Sequence, residues 1–342
     1  MNLKKLSFGI IVLILLVNSR IKAQIIEGNI NYFGFMDNRE YKRSDRFSQT
    51  IFGNRISPEF GIKLDSFNRF RIGFNALYEF GSQKDKFFDK IDPVIYYQNQ
   101  KGNWNFFIGS FPRLNLLTDY PRALFKDTLN YYRPNIQGML AKYETKNFKE
   151  TIWIDWTSRQ TNADKETFLF GLSGNYKKGL FFISHYLFVY HNAGAAIPIP
   201  NDYLQDNGGL SAEIGLDLSH RLIDSLKISA GAMVSIERTR AFSSKINTPK
   251  GFVSNIYAAH KKFSIQNSFY AGQGHHIIYG DPFYTSKTYD RVDLGWSPIK
   301  SKNLEGKFVF SYHFVDGVMD NQQAFFLRYN ISASKNLKKK SN

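Results

Sequence analysis

Apolar and polar residues alternate along most of this chain in short stretches. In the clearest of them, every even position from Phe70 to Phe80 is apolar, while Arg69, Arg71 and Asn75 occupy odd positions between them. A period of two residues predicts a β-strand with one apolar face and one polar face. The same alternation recurs along the chain, and it predicts strands over residues 25–36, 55–64, 69–81, 90–98, 104–112, 135–144, 149–159, 166–176, 179–191, 209–221, 225–238, 251–260, 263–273, 288–300, 305–315 and 322–333.

The connections between these stretches alternate between tight turns and longer polar loops. An even number of strands, with both ends on the tight-turn side, is typical of bacterial outer-membrane barrels. We therefore predict an all-β fold, a transmembrane antiparallel up-and-down β-barrel of about 16 strands. The apolar faces would meet lipid, and the polar faces would line a lumen. One stretch, from Leu180 to His191, is apolar on both faces, so its register stays unassigned.

The first residues have the composition of an export signal. Lys4 and Lys5 precede an apolar run from Leu6 to Val17, and Ala23 offers a cleavage site. We therefore predict a signal peptide over residues 1–23 and a single barrel domain over residues 24–342. No later segment has the roughly 20 consecutive apolar residues that a membrane helix needs.

Composition narrows the function classes. The chain has no cysteine, which excludes a disulfide framework, and its 32 Phe and 20 Tyr suit a barrel with aromatic girdles. The net charge is +16, but the basic residues are dispersed, so nucleic acid is not a predicted partner. Outer-membrane lipid and lipopolysaccharide are the predicted surroundings.

Several short segments give a family resemblance. They are Phe107-Ile-Gly-Ser-Phe-Pro-Arg113, Tyr132-Arg-Pro-Asn-Ile-Gln-Gly138, Trp153-Ile-Asp-Trp-Thr-Ser-Arg159 and Tyr279-Gly-Asp-Pro-Phe-Tyr284. Together with the strand pattern, they resemble outer-membrane β-barrel porins, in particular uncharacterised porins of Bacteroidetes. The resemblance implies the outer membrane of a Gram-negative bacterium. Sixteen strands leave an interior too wide for side chains to fill, so we predict passive diffusion of small polar solutes and no enzymatic activity.

The resemblance also implies that the loop after the fifth strand enters the lumen and narrows it. This loop would bring charged side chains to a constriction with a weak anion preference, namely Arg113, Arg122, Lys126 and Arg133 with Asp119 and Asp127. The alternation assigns further basic residues to the lumen wall, among them Arg69, Arg71, Arg159, Lys227, Arg291 and Arg328.

Other chemistry has weaker support in the sequence. No metal-binding or phosphate-binding motif occurs, and we predict no cofactor, no metal site and no catalytic residue. His275 and His276 are adjacent, so on a strand they would point to opposite faces. His185 and His191 share a face but are about 20 Å apart along a strand, which is too far for one metal ion.

Two alternatives to a channel remain open. One is a non-conducting barrel that binds a partner or serves envelope assembly. The other is a lipid hydrolase, which would need Ser and His side chains on the lipid-facing wall, where the pattern predicts almost only apolar residues. The oligomeric state is open as well, including a homo-oligomer.

Overall fold

A computed structural model describes residues 25–82, 86–117, 119–197, 200, 203–221 and 223–337. The predicted signal peptide lies outside these residues. Within them, no helix is long and apolar enough to cross a membrane.

Sixteen antiparallel strands form one closed barrel, in which each strand pairs with its neighbours in sequence and β1 pairs with β16. The strands are β1 (Ile25–Glu40), β2 (Gln49–Lys63), β3 (Asn68–Glu79), β4 (Lys90–Lys101), β5 (Trp104–Pro112), β6 (Asn135–Glu144), β7 (Phe148–Ser158), β8 (Glu166–Lys178), β9 (Phe181–Gly194), β10 (Gln205–Asp217), β11 (Ser225–Thr239), β12 (Lys250–His260), β13 (Phe263–Gly272), β14 (Thr288–Lys300), β15 (Leu304–Val315) and β16 (Val318–Asn336). A short α-helix, α1 (Leu129–Tyr132), lies between β5 and β6, and single 3₁₀ turns occur at Lys42–Ser44 and Pro282–Thr285.

The predicted fold class and strand number are confirmed. The clearest difference is the last connection, predicted as a loop over residues 316–321. It is a two-residue hairpin turn at Asp316 and Gly317, whose φ angles of 52° and 79° are both left-handed. Such a pair of angles matches the twist of adjacent strands, so β15 and β16 continue to the turn.

The two faces of the wall follow the alternation. Ile72, Ile95 and Phe310 are exposed on the outer face, where lipid replaces solvent. Pairing with β8 and β10 settles the register of β9: Phe181, Ile183 and Val189 face outward, whereas Phe188 and Tyr190 are buried inside.

An apolar core fills the lumen on the side of the long loops, hereafter the loop side. One cluster of buried side chains joins wall residues such as Phe111, Trp153 and Tyr270 to residues of the loops 113–134 and 273–287, such as Leu124 and Phe283. A second cluster covers β1 to β3. Buried side chains from both clusters line the interior around most of the circumference, so the loops act as packing for the wall.

The opposite end, at the tight turns, is more open. A polar cavity of about 690 Å³ is lined there by Lys149, Glu213 and Lys227, among others. A second cavity of about 320 Å³ lies beside β14 to β16. Each is lined in part by Arg122 and Asp127, which belong to the loop that enters the barrel.

Candidate functional site

The loop between β5 and β6 lies inside the barrel, as the sequence predicted. The hydroxyl of Tyr120 donates to the carbonyl of Leu187 on β9 at 3.1 Å, and the hydroxyl of Tyr131 donates to Asp37 on β1 at 3.1 Å. Arg122 reaches Asp293 on β14 at 3.1 Å. Contacts with walls this far apart around the barrel require a loop that crosses the lumen.

The charged residues of this loop are largely neutralised by partners. Arg113 pairs with Asp155 at 2.5 Å, Asp119 with Lys149 at 2.8 Å, and Arg122 with Asp127 at 3.0 Å. The guanidinium of Arg133 lies over the ring of Tyr279. The backbone N–H of Lys126 donates to the carbonyl of Tyr279 at 2.8 Å, which ties the two inner loops together. The six residues therefore do not form one ring of free charge.

The residues predicted for the lumen wall make different contacts. Arg69 and Arg71 both pair with Glu27 at 2.9 Å, and Arg291 pairs with Asp293 at 2.7 Å. The side chain of Lys227 lines the larger cavity, and Arg328 lies over the ring of Phe33 at 3.9 Å.

Arg159 departs from its predicted place on the lumen wall. Strand β7 ends at Ser158, after a register shift between Trp156 and Ser158, so Arg159 is exposed in the loop that follows. The irregular pairing breaks the alternation that the sequence prediction extended by one residue.

A buried serine and histidine meet at the loop side of the lumen. Ser235 Oγ lies 2.7 Å from His275 Nδ1 and 2.6 Å from Glu237 Oε1. Burial lowers the pKa of His275, so the ring is neutral at pH 7. Ser235 is fully buried, and its second partner is the carboxylate, which bonds to the serine and not to the histidine. A substrate ester has no access to this serine, and we assign the group a structural role.

A histidine and a glutamate meet on the outer face of the wall. His185 Nε2 lies 3.1 Å from Glu150 Oε1, with side chains that are 36% and 27% exposed. Glu150 shares the outward face of β7 with Ile152, and His185 shares that of β9 with Ile183. Ionisable groups facing lipid are costly and usually serve function.

Gly174 lets these two side chains meet across the strand that separates them. It pairs with Glu150 on one side and with His185 on the other. A Cβ at this position would lie 2.3 Å from Glu150 Oε2 and 2.4 Å from His185 Cε1. The absence of a side chain on β8 is therefore what brings the carboxylate and the imidazole together.

Glu150 and His185 have the arrangement of a general base and the carboxylate that orients it. The carboxylate orients the imidazole through Nε2, which leaves Nδ1 as the ring nitrogen that can take a proton from water. In the described ranges, no group of three or more His, Cys, Asp or Glu residues is placed to hold a metal ion. His275 is buried and His276 is exposed, so they point apart.

Sequence reasoning missed this pair because the register of β9 was unassigned. The sequence did contain a signal for Glu150, one of the two residues. Extending the alternation of Ile152, Ile154 and Trp156 back by two residues places Glu150 on the lipid-facing side.

The sequence matches the family described as Lipid A 3'-O-deacylase-type over residues 19–339, and the chain belongs to this family. The expectation that the protein is not an enzyme is therefore wrong. No curated protein matches the sequence.

Solved structures of outer-membrane porins share the fold. The OmpT loop L8 deletion mutant of Vibrio cholerae has 10% identity and a TM-score of 0.58, covering 91% of this chain and 100% of its own. An anion-selective porin from Comamonas acidovorans has 10% identity and a TM-score of 0.55, with the same coverage. OpdK from Pseudomonas aeruginosa has 9% identity and a TM-score of 0.52, covering 90% and 99%. These likenesses support an outer-membrane barrel.

Proposed function

We propose that the protein is an outer-membrane ester hydrolase that removes acyl chains from membrane lipids at the outer wall of its barrel. The observation that carries the proposal is the pair of Glu150 and His185 on the lipid-facing surface. Membership of a deacylase family supports the reaction class. The filled loop side of the lumen favours a site on the wall over one inside.

In this reaction, His185 is the catalytic base and Glu150 positions it. His185 Nδ1 takes a proton from a water molecule while the water oxygen attacks the ester carbonyl carbon. The tetrahedral intermediate then expels the alkoxide, which takes the proton back from the imidazolium. The products are a free fatty acid and an alcohol, so atoms and charge balance. The negative charge of Glu150 stabilises the imidazolium between these steps.

The test uses the full-length protein folded in detergent micelles with p-nitrophenyl palmitate, a single-chain ester that reports the chemistry alone. We expect His185→Ala to reduce kcat by about 10²–10⁴-fold, the usual contribution of a general base. Glu150→Gln should reduce it less. The matched control is His191→Ala, on the same face of the same strand, where the ring stacks on Phe168.

Equal activity of the wild type and His185→Ala would remove this site from the mechanism. A comparable loss in His191→Ala would show that the outer face of β9 matters through packing alone. Migration on unheated gels, which reports barrel closure, verifies that each variant is folded.

A second candidate function is passage of small polar solutes through the lumen. The porin folds and the polar cavity of about 690 Å³ on the tight-turn side favour it. The packed loop side opposes it, because a route through the barrel would require the two inner loops to move.

A further inference from the structure

Four guanidinium groups surround a small cavity between the barrel wall and the two ends of the loop that joins β5 to β6. The cavity has a volume of about 60 Å³. Arg55 on β2 and Arg328 on β16 line it from the wall, and Arg113 and Arg133 line it from the loop. Among the described residues, Glu59 on β2 supplies the one carboxylate of the lining. Four guanidinium groups against one carboxylate leave an excess of three positive charges.

Two of these arginines have buried N–H groups without an acceptor. The side chains of Arg55 and Arg113 are 3% and 6% exposed. Arg55 donates through Nη2 to the carbonyl of Tyr131, and Asp92 lies 3.8 Å from its Nη1, but its Nε and Nη1 have no hydrogen-bond partner among the described residues. Arg113 donates through Nη2 to Asp155, while its Nη1 has no such partner. A buried, charged donor without an acceptor is costly, so these groups favour a ligand that accepts hydrogen bonds.

The other two arginines carry charge that no carboxylate neutralises. Arg133 lies over the ring of Tyr279, and Arg328 lies over the ring of Phe33. Neither guanidinium forms an ion pair with a residue that the structure describes. The face of an aromatic ring attracts a cation less strongly than an anion does. Repulsion among the four guanidinium groups therefore persists, and an anion between them would offset it.

We propose that this cavity binds a small oxyanion of the phosphate class, which ties both ends of the loop 113–134 to β2 and β16. A guanidinium group presents a planar fork of N–H donors that matches the oxygen atoms of phosphate. The volume is several times the roughly 10–15 Å³ that one water molecule needs, which suits an ion of several atoms. This inference is independent of the hydrolase, because the cavity lies inside the barrel and Glu150 and His185 face lipid.

The ligand would be a free ion that enters from the polar interior. Phe33, Asn130 and Arg328 line both this cavity and the neighbouring one of about 320 Å³. The larger cavity therefore gives the ion a route to the site. A lipid headgroup at the outer face of the wall does not reach it.

The experiment measures phosphate binding to the full-length protein folded in detergent micelles. Inorganic phosphate is titrated by calorimetry at constant ionic strength, with potassium gluconate as the background salt. We expect one phosphate to bind per chain. Chloride should compete at least about tenfold more weakly, because a single atom cannot accept from both arms of several guanidinium forks.

Two variants each remove one guanidinium group from the cavity. Arg133→Gln and Arg328→Gln should each weaken phosphate binding by about tenfold or more, the usual loss for a hydrogen bond to a charged group. Lys227→Gln is the matched control, because it removes the same charge from the lumen but from the cavity of about 690 Å³ at the tight-turn side. Its affinity for phosphate should stay within about twofold of the wild type, as expected for a distant site. Migration on unheated gels verifies that each variant is folded.

Hydrogen exchange tests whether the ion ties down the loop. Arg55 and Arg133 connect the cavity to α1, through the carbonyl of Tyr131 and through the chain that follows the helix. Exchange of the backbone amides of residues 129–133, followed by mass spectrometry, should slow severalfold in phosphate, because local opening would break contacts with the ion. Arg328→Gln should remove most of this protection.

The outcomes separate the site from its effect on the loop. Absence of phosphate binding by the wild type would overturn the inference. Equal weakening in Lys227→Gln would overturn it as well, because phosphate would then respond to the net charge of the lumen. Binding with unchanged exchange of residues 129–133 would keep the site and overturn its role in holding the loop.

Discussion

Because Gly174 has no side chain, Glu150 and His185 can meet across β8. Because an added Cβ would overlap both side chains, Gly174→Ala should force them apart without breaking a strand hydrogen bond. We expect kcat for p-nitrophenyl palmitate to fall by about tenfold or more toward the level of Glu150→Gln, since the base loses its positioning partner. KM should change little.

A structural role for Gly174 would give a different pattern from a positioning role. If the alanine lowered the folded fraction but kept kcat per folded protein, Gly174 would serve strand packing only. Gly28 on β1 is the control, because a Cβ there meets nothing within 4 Å.

Outward and inward positions should respond differently to charge. Ile72→Arg places a cation against lipid in the middle of β3 and should cost roughly 2–4 kcal/mol of folding free energy. Ser264→Arg, which points into the cavity of about 320 Å³, should be tolerated. Unfolding from lipid vesicles in guanidinium measures both, and equal losses would contradict the assignment of the two faces.

The strands show what alternation can and cannot predict. Ile72 and Phe74 face lipid as the period of two required, because lipid and a watery lumen impose opposite polarities on adjacent residues. β9 resisted prediction because Phe188 and Tyr190 face an apolar core inside the barrel. With apolar surroundings on both sides, hydrophobicity does not report register, and strand pairing alone fixes it. The contact between Glu150 and His185 depended on that register and was missed with it.

The position of the loop 113–134 could be predicted, but its electrostatic effect on the lumen could not. Its place after β5 came from the resemblance to porins, and contacts such as Tyr131 to Asp37 confirm that it lies in the lumen. Its charges suggested an anion filter, yet Arg113 and Arg122 are paired with Asp155 and with Asp127. A sequence shows which residues are charged but not which of them form ion pairs. The electrostatic potential of a folded loop therefore cannot be predicted from its sequence alone.

Sixteen strands alone predict a lumen too wide for side chains to fill. Here the loops 113–134 and 273–287 supply the missing volume, and Leu124, Ile277 and Phe283 complete a core that wall residues begin. The interior of the barrel is therefore filled by an apolar core at the loop side, and it holds a polar cavity at the tight-turn side. This division suits an enzyme whose chemistry lies on the outer wall, because the closed interior gives that wall a rigid support.

A filled barrel makes a prediction about conductance. In planar bilayers, the wild-type protein should show conductance at least about tenfold below that of open 16-stranded porins, because no wide water path crosses the apolar core. Replacing residues 114–133 by a short Gly-Ser linker should produce large ohmic steps. Replacing residues 241–247 of the exposed loop 240–248 by a Gly-Ser pair is the control and should leave the bilayer sealed. Gel migration before and after heating confirms that both variants are closed barrels. Large steady steps from the wild type would show that the inner loops move aside in the membrane, and solute passage would then become the leading function of the lumen.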